Sequence, residues 1–214
     1  MKFDMHVHTL QSKKCGWMRP ERLVKVAIEK GLVGIAVTDH NTIEGALEVF
    51  EIVRDEQLRL EVIIGEEITT DRGEVLAYFI DEEIEPGPFE DVLSAIRRAG
   101  GVSAIPHPFD KVRKGFVGLE AVLDDVDAIE VLNARCLFNR KAVDLCLDDK
   151  KPMLGGSDAH FYREVGRAWT EYSIEPRACI LEGRTRVSGG LSNPAYLALT
   201  KGVKVWRKVT SGSV

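Results

Sequence analysis

The sequence predicts a single α/β domain, residues 1–214, built as a small or irregular β/α barrel. Two observations carry that expectation. Apolar, β-branched runs alternate with segments of helical spacing nearly from end to end, as in strand and helix units wound around parallel strands. No internal repeat, low-complexity tract or linker interrupts the series, and 214 residues are enough to bury one substantial core without disulfides. An open doubly wound sheet fits the same periodicity and stays as the alternative.

Strands are expected at residues 3–8, 32–38, 61–68, 74–80, 102–106, 128–132, 153–157 and 169–174, with Gly65, Gly155 and Gly156 at strand ends. Pro20 suits a first helical turn, after which Leu23, Val24, Ala27 and Ile28 recur at helical spacing and Gly31 supplies the stop. Thr42 is expected to cap the next helix, whose apolar face is Ile43, Ala46, Leu47, Phe50 and Val53. Pro88 opens a third, with Phe89, Val92, Leu93 and Ile96 inward and the Gly100-Gly101 pair at its end.

Composition bounds the function classes. A net charge of −5 gives no bulk attraction for nucleic acid or an anionic membrane, although a local basic patch is compatible with it. The N-terminal MKFDMHVHT enters a strand pattern at once and no membrane-length apolar run follows, so a cytoplasmic protein is expected. Cys15, Cys136, Cys146 and Cys179 are scattered and form no C-x-x-C pair, which argues against a zinc ribbon or a redox dithiol. Cys136 and Cys146 are expected to pack as small apolar residues.

The chemistry-bearing residues collect at strand ends. His6 and His8 are two apart on the first strand, so the period of two turns both rings to one face, where they can share a metal. Asp39 and His40 follow the run GIAVT; Asp39 and Asn41 also suit a turn or cap, whereas His40 has no such role. His107 ends GVSAIPHP between two prolines that stiffen its loop. Asp158 and His160 in GGSDAH repeat the spacing of two, and the adjacent Ser157 suits a turn. All five histidines therefore sit where a β/α barrel carries its chemistry, and imidazoles mixed with carboxylates suit zinc, manganese or iron better than calcium. Glu66 and Glu67 are neighbours on one strand and must face opposite ways; strand geometry alone does not choose between them.

The landmarks DMHVHT, AVTDHNT, IIGEEIT, AIPHPFD and GGSDAH, in that order from Met1 to about Thr170, resemble the polymerase and histidinol phosphatase (PHP) superfamily. The resemblance implies a distorted (β/α)7 barrel with seven parallel strands and a di- or trinuclear metal site that hydrolyses phosphate esters. It selects Glu67 as the bridging carboxylate and Glu66 as its outward neighbour. Carried over, His6, His8, Glu67 and Asp158 hold the first metal, Glu67 and His107 the second, and His40 and His160 a third. Many members place a metal ligand in the loop after H-x-H, where this chain has Lys14 followed by Cys15. An ammonium does not ligate, so the third site is expected to be weak, filled by water or completed by the Cys15 thiolate. Glu74 and Glu130 are further candidates for the second metal.

Two or three divalent ions of zinc, manganese or iron would neutralise the phosphate, provide a hydroxide and stabilise the leaving oxygen. Asp158, His160 and His40 are the expected catalytic residues. Lys111, Arg113 and Lys114, just after His107, are expected to bind phosphate oxygens, with Arg135 and then Arg163 behind them. The expected partners are a phosphorylated small molecule, a nucleotide or a short nucleic acid, and no membrane; the sequence does not address oligomeric state. Two other readings compete. An amidohydrolase-like enzyme also opens on H-x-H but uses a metal-bridging lysine on a middle strand, which this sequence lacks. A metal-bound, inactive PHP-like binding module is separated by testing for turnover that a chelator removes. The segment from Arg177 to Val214 lies beyond the resemblance and has no function assigned from sequence.

Overall fold

The computed structural model describes residues 1–113 and 115–211, so Lys114 of the basic loop lies outside the described residues. The described strands are β1 (Lys2–Val7), β2 (Gly34–His40), β3 (Glu61–Thr69), β4 (Glu74–Tyr78), β5 (Val102–Ile105), β6 (Ala128–Asn133), β7 (Met153–Gly156), β8 (Ala168–Tyr172) and β9 (Thr185–Gly189). They form one sheet in the order β7-β6-β5-β4-β3-β2-β1-β8-β9. Around it lie α1 (Pro20–Glu29), α2 (Glu44–Asp55), α3 (Phe89–Arg98), α4 (Asn139–Asp149), α5 (Pro176–Leu181) and α6 (Ala195–Ser211). Each expected strand region holds a strand; β9, an edge strand only partly covered, was not foreseen.

The sheet is mixed and mostly parallel, in keeping with the expected distorted barrel of parallel strands, and two strands are reversed. β4 runs antiparallel to both β3 and β5, and β8 runs antiparallel to β1 and β9. The physical reason for β4 is its connection. Only residues 70–73 separate it from β3, whereas a parallel crossover needs about a dozen residues or more. The sheet curls until the segment after β7 meets β1: Asp158 N donates to His6 O at 2.7 Å and His8 N to Ala159 O at 3.0 Å, with Val7 and Ala159 paired in parallel. The result is a nearly closed, distorted barrel.

Helix boundaries follow local chemistry. Pro20 occupies the first turn of α1, Leu23, Val24 and Ala27 are buried, and Gly31 ends the helix at φ +68°. α2 starts at Glu44 with Ile43 at its N-cap position, so Thr42 does not cap it as expected; its Oγ1 instead accepts from Glu44 N at 3.2 Å from one residue further out. α3 buries Phe89, Val92, Leu93 and Ile96, and its acidic first turn and basic last turn complement the helix dipole. One apolar cluster packs α1 and α2 against β1 and β2, and another packs α3 and α4 against the middle strands. A third, including Phe3, Ala36, Ile63, Leu76 and Leu154, brings together residues from eight strands, β1 to β8. The four cysteines are buried and unpaired, as expected for Cys136 and Cys146.

Glu66 and Glu67 diverge as strand alternation requires. Glu66 turns from the histidines yet stays buried, accepting from Ile84 N at 3.0 Å through Oε2 while Oε1 has no partner among the described residues. Burial raises its carboxyl to about 7. No helix among the described residues is long and apolar enough to cross a membrane.

Two stability predictions follow from these contacts. At Gly156 an added Cβ would lie 2.5 Å from His6 Cβ and 2.7 Å from His6 N, whereas at Gly190 it would meet nothing within 4 Å. Gly156→Ala should therefore cost about 1–3 kcal/mol in urea denaturation, with Gly190→Ala within about 0.5 kcal/mol of the parent. Because the folded protein holds the Glu66 proton up to about pH 7, against 4.5 for a free side chain, the wild type loses stability as pH rises through that window. Glu66→Gln should remove that slope, so its stability relative to wild type climbs between about pH 5 and 7 and then levels off. A pH-independent difference would show that Glu66 carries its charge without cost.

Candidate metal centre

The barrel gathers its polar side chains at one end because the strands deliver them there. His6 lies near the end of β1 and His8 follows it; His40 ends β2, Glu67 lies near the end of β3, and His107 and Asp158 follow β5 and β7. The reversal of β4 adds a residue. Glu74 begins that strand and pairs with Thr69, so it stands at the same end as the C-termini of the parallel strands. His40 and Glu67 are direct neighbours across β2 and β3.

Glu67 occupies the centre. Its Oε2 lies 3.4 Å from His6 Nε2, 3.3 Å from His8 Nε2 and 3.1 Å from His40 Nδ1, while Oε1 lies 3.3 Å from His107 Nε2. Asp158 Oδ1 faces His8 Nε2 at 3.4 Å and His6 Nε2 at 3.9 Å. Glu74 approaches His40 at 3.5 Å and His107 at 3.7 Å. Three sets of donor atoms converge closely enough to hold an ion: His6, His8 and Asp158; His8, His40 and His160; and His40, Glu67 and Glu74. The structure thus brings together His6, His8, His40, Glu67, His107, Asp158 and His160. Of the two further carboxylates considered, Glu74 joins them. Glu130 instead stands behind His6, accepting from its Nδ1 at 3.1 Å.

A surrounding hydrogen-bond network fixes which nitrogen of the His6 and His8 rings faces inward. Glu130 can only accept, so His6 Nδ1 carries a proton and Nε2 points to the centre. Ser12 Oγ donates to Asp39 at 2.6 Å and therefore accepts from His8 Nδ1 at 3.1 Å and from His40 N at 3.1 Å. Asp39 accepts four bonds from Thr9 and Ser12, which makes it the anchor of the loop after β1 and not a helix cap. Glu130 also holds His107 N and Asn133 Nδ2, and Asn133 Nδ2 reaches Asp158 Oδ2 at 3.1 Å. Asp4 accepts from Ser157 N and Gly166 N, tying β1 to the loop that carries Asp158 and His160. Sequence reasoning missed Ser12, Asn133 and Asp4. Only Asp4 left a signal, since D-x-H-x-H continues the alternation of the two histidines.

Electrostatics match the donor set. Burial alone would raise the Glu67 carboxyl, but His40 and His6 hold it well below the usual range; Arg113 and His6 do the same for buried Asp158. Burial lowers His8 to about 4, and burial with His8 and Arg135 nearby holds His160 well down, so both rings are neutral near pH 7. Burial also opposes charge on His6 and His40, yet Glu67 and the neighbouring acids raise both, His40 to about 10. Nε2 of His6 and Nε2 of His8 lie only 3.0 Å apart, so both rings present a nitrogen to the same point. The carboxylates thus demand positive charge at the points where imidazole nitrogens converge, and divalent cations satisfy that demand. His107 Nδ1 is buried without a partner among the described residues.

The expected substrate-binding residues divide. Arg113 lines a cavity of about 120 Å³ with His40, Glu67, Glu74, Asp158 and His160, and its guanidinium joins Asp110 and Asp158. Arg135 lines the same cavity but is buried, its Nε in an ion pair with Glu164 at 3.1 Å and its Nη atoms bonded to His160 Nδ1 at 2.8 Å, Tyr196 O and Thr200 Oγ1. Lys111 is exposed, stacks over Phe138 at 5.1 Å and is not among the lining residues. Lys14 is exposed at the rim, while buried Cys15 hydrogen-bonds to His40.

With this geometry in place, comparison with known proteins becomes informative. The PHP domain family matches residues 4–132 and the PHP-associated family residues 137–182, so the match runs past Thr170, where the resemblance was expected to end. Two proteins of Methanocaldococcus jannaschii, both described as uncharacterized, are 34% identical over 145 and 184 residues. These alignments cover 63% and 81% of this chain and 82% and 71% of the relatives. The crystal structure of a two-domain protein from Bacteroides vulgatus, described as containing a predicted PHP-like metal-dependent phosphoesterase, has a TM-score of 0.71 at 23% identity. That likeness covers 89% of this chain and 65% of the Bacteroides chain, and it shows a shared fold. Strand order, clustered ligands and family match agree: this chain belongs to the PHP domain family.

Proposed function

We propose that the chain hydrolyses a phosphate ester of a small metabolite, a nucleotide or an oligonucleotide end, using two or three divalent ions of zinc, manganese or iron. The observation that carries this reading is the convergence of five imidazoles on Glu67, Glu74 and Asp158 at one end of the barrel. The description of the Bacteroides protein supports it.

His6, His8, Glu67 and Asp158 would hold the first ion. Glu67, His107 and Glu74 would hold the second, with His40 and His160, which both line the cavity, for a third. When bound, such ions neutralise phosphate charge, activate water and stabilise the leaving oxygen. The chain's own groups then divide the remaining work. Ser12 and Glu130 orient His8 and His6, and partners of that kind commonly matter about 10–100-fold to metal affinity or activity. Arg113, on the cavity wall, presents a guanidinium to phosphate oxygens. Arg135, held by Glu164, positions His160 from beneath. His40 is 23% exposed and lines the cavity, where it would stabilise the departing oxygen.

Elemental analysis after reconstitution with zinc, manganese or iron should give two or three equivalents per chain; less than one would remove the multinuclear reading. Asp158→Asn keeps side-chain volume but loses a charge from the donor set. Its phosphomonoesterase turnover should fall by more than about a hundredfold, beyond the loss typical of residues that merely support a ligand. Far-ultraviolet circular dichroism should not change, because little apolar packing is lost. Wild-type turnover in this variant would refute the role of Asp158.

A further inference from the structure

α6 lies beyond both family matches, yet it borders the metal centre. Two arginines fasten it. Arg135 Nη2 donates to Tyr196 O at 3.0 Å and Thr200 Oγ1 at 2.6 Å near its start. Arg207, near its end, donates to Gly16 O at 2.8 Å, Ser12 O at 3.3 Å and Lys13 O in the loop that carries Ser12. So fixed, α6 places Lys201 and Lys204 in the wall of the 120 Å³ cavity. Lys204 also lines two further cavities, of about 340 and 850 Å³, each shared with Lys13 and Lys14; Lys208 joins the larger one.

Lys201, Lys204 and Lys208 fall at i, i+3 and i+7, so they share one face of the helix. Lys13 and Lys14 approach from a separate element. None of these five lysines forms an ion pair among the described residues, although the chain as a whole is acidic. A solvated basic surface gives no reason for two elements to converge on a groove, nor for that groove to continue into the hydrolytic cavity through one shared side chain. Arg113 and the metal ligands already serve the phosphate being cleaved. The lysines outside that cavity would face a second anion.

We propose that Lys14 and Lys208, with Lys13 and Lys204 beside them, form a subsite for a second phosphate group of the substrate, so that the enzyme selects molecules carrying two phosphates. This rests on the phosphoesterase reading for its first phosphate only. Two sources share that chemistry: a small bisphosphorylated molecule, and the next backbone phosphate of a short oligonucleotide.

The test compares binding and hydrolysis. Isothermal titration calorimetry of the manganese-loaded protein would use alkane bisphosphonates of graded spacer length beside the matching monophosphonates; neither can be hydrolysed. At the best spacer the bisphosphonate should bind about tenfold more tightly, as two exposed ionic contacts allow, and added salt should reduce the advantage. Lys14→Ala/Lys208→Ala should abolish the preference while leaving monophosphonate affinity unchanged. Equal affinities at every spacer, or wild-type preference in the double variant, would overturn the proposal. Phosphate release is then measured from alkanediol monophosphates, alkanediol bisphosphates and 5′-phosphorylated dithymidylate. Monoester hydrolysis without any bisphosphonate preference removes the subsite and leaves the phosphoesterase reading intact. Lysine-dependent preference without release from any ester removes the phosphoesterase reading and leaves the subsite. A lysine-dependent gain for the dinucleotide alone assigns the subsite to a nucleic-acid backbone, and a gain for the alkanediol bisphosphate assigns it to a small molecule.

Discussion

Glu67 is a buried carboxylate surrounded by four imidazoles, and the mouth of the barrel is arranged around the need to offset its charge. An uncompensated carboxylate at that depth would cost several kcal/mol, so the strands that carry it must also bring its partners. They do so by register. Pairing of His40 with Glu67 across β2 and β3 sets one contact, β1 beside β2 brings His6 and His8, and closure of the Asp158 segment onto β1 sets Asp158 against the same two rings. Gly156 is part of the same constraint, since the close approach of β7 to His6 leaves no room for a Cβ. Fold and site are therefore not separable here: the hydrogen bonds that close the barrel are the ones that place Asp158.

Ligand orientation depends on groups that never reach the centre. Ser12 accepts from His8 and from the backbone of His40 because its own proton is committed to Asp39. Glu130 joins His6, the backbone of His107 and Asn133, and Asn133 continues to Asp158. Networks of this kind are favourable when every member is satisfied and costly when one is removed. That explains why both networks are anchored on buried carboxylates, Asp39 and Glu130: each accepts several bonds at once and leaves its donors no competing geometry.

The clustered positions were legible in the sequence because five histidines in an α/β pattern all fell at strand ends, and the choice of Glu67 over Glu66 as the inward carboxylate came from family resemblance and not from strand geometry. Strand existence was equally legible, since β-branched runs declare themselves locally. Strand direction was harder to read. The short connection before β4 implied a hairpin, and overlooking it hid the reason why Glu74 joins the histidines although it begins its strand. Ser12 and Asn133 were illegible for a different reason. Their roles depend on contacts between distant segments, and neither residue type carries a periodic signal. Asp39 shows the converse, a chemically suggestive residue beside His40 whose work is to hold the loop after β1.

The exposed face of α6 lies outside the networks that fix the strand-end cluster. The ligands are fixed by strand register and by buried networks, where a change at one residue unsettles several others. The helix touches that core through Arg135 and Arg207, while the lysines it presents are exposed and take no part in the ligand networks. Substitution on its exposed face therefore alters the charge met by the distant part of a substrate at little cost to the fold, because exposed side chains contribute little to packing. Strand ends and helix thus offer separable parts of the site. The chemistry needs rigidity at the strand ends, and the choice of substrate needs only charge and shape across the cavity from them.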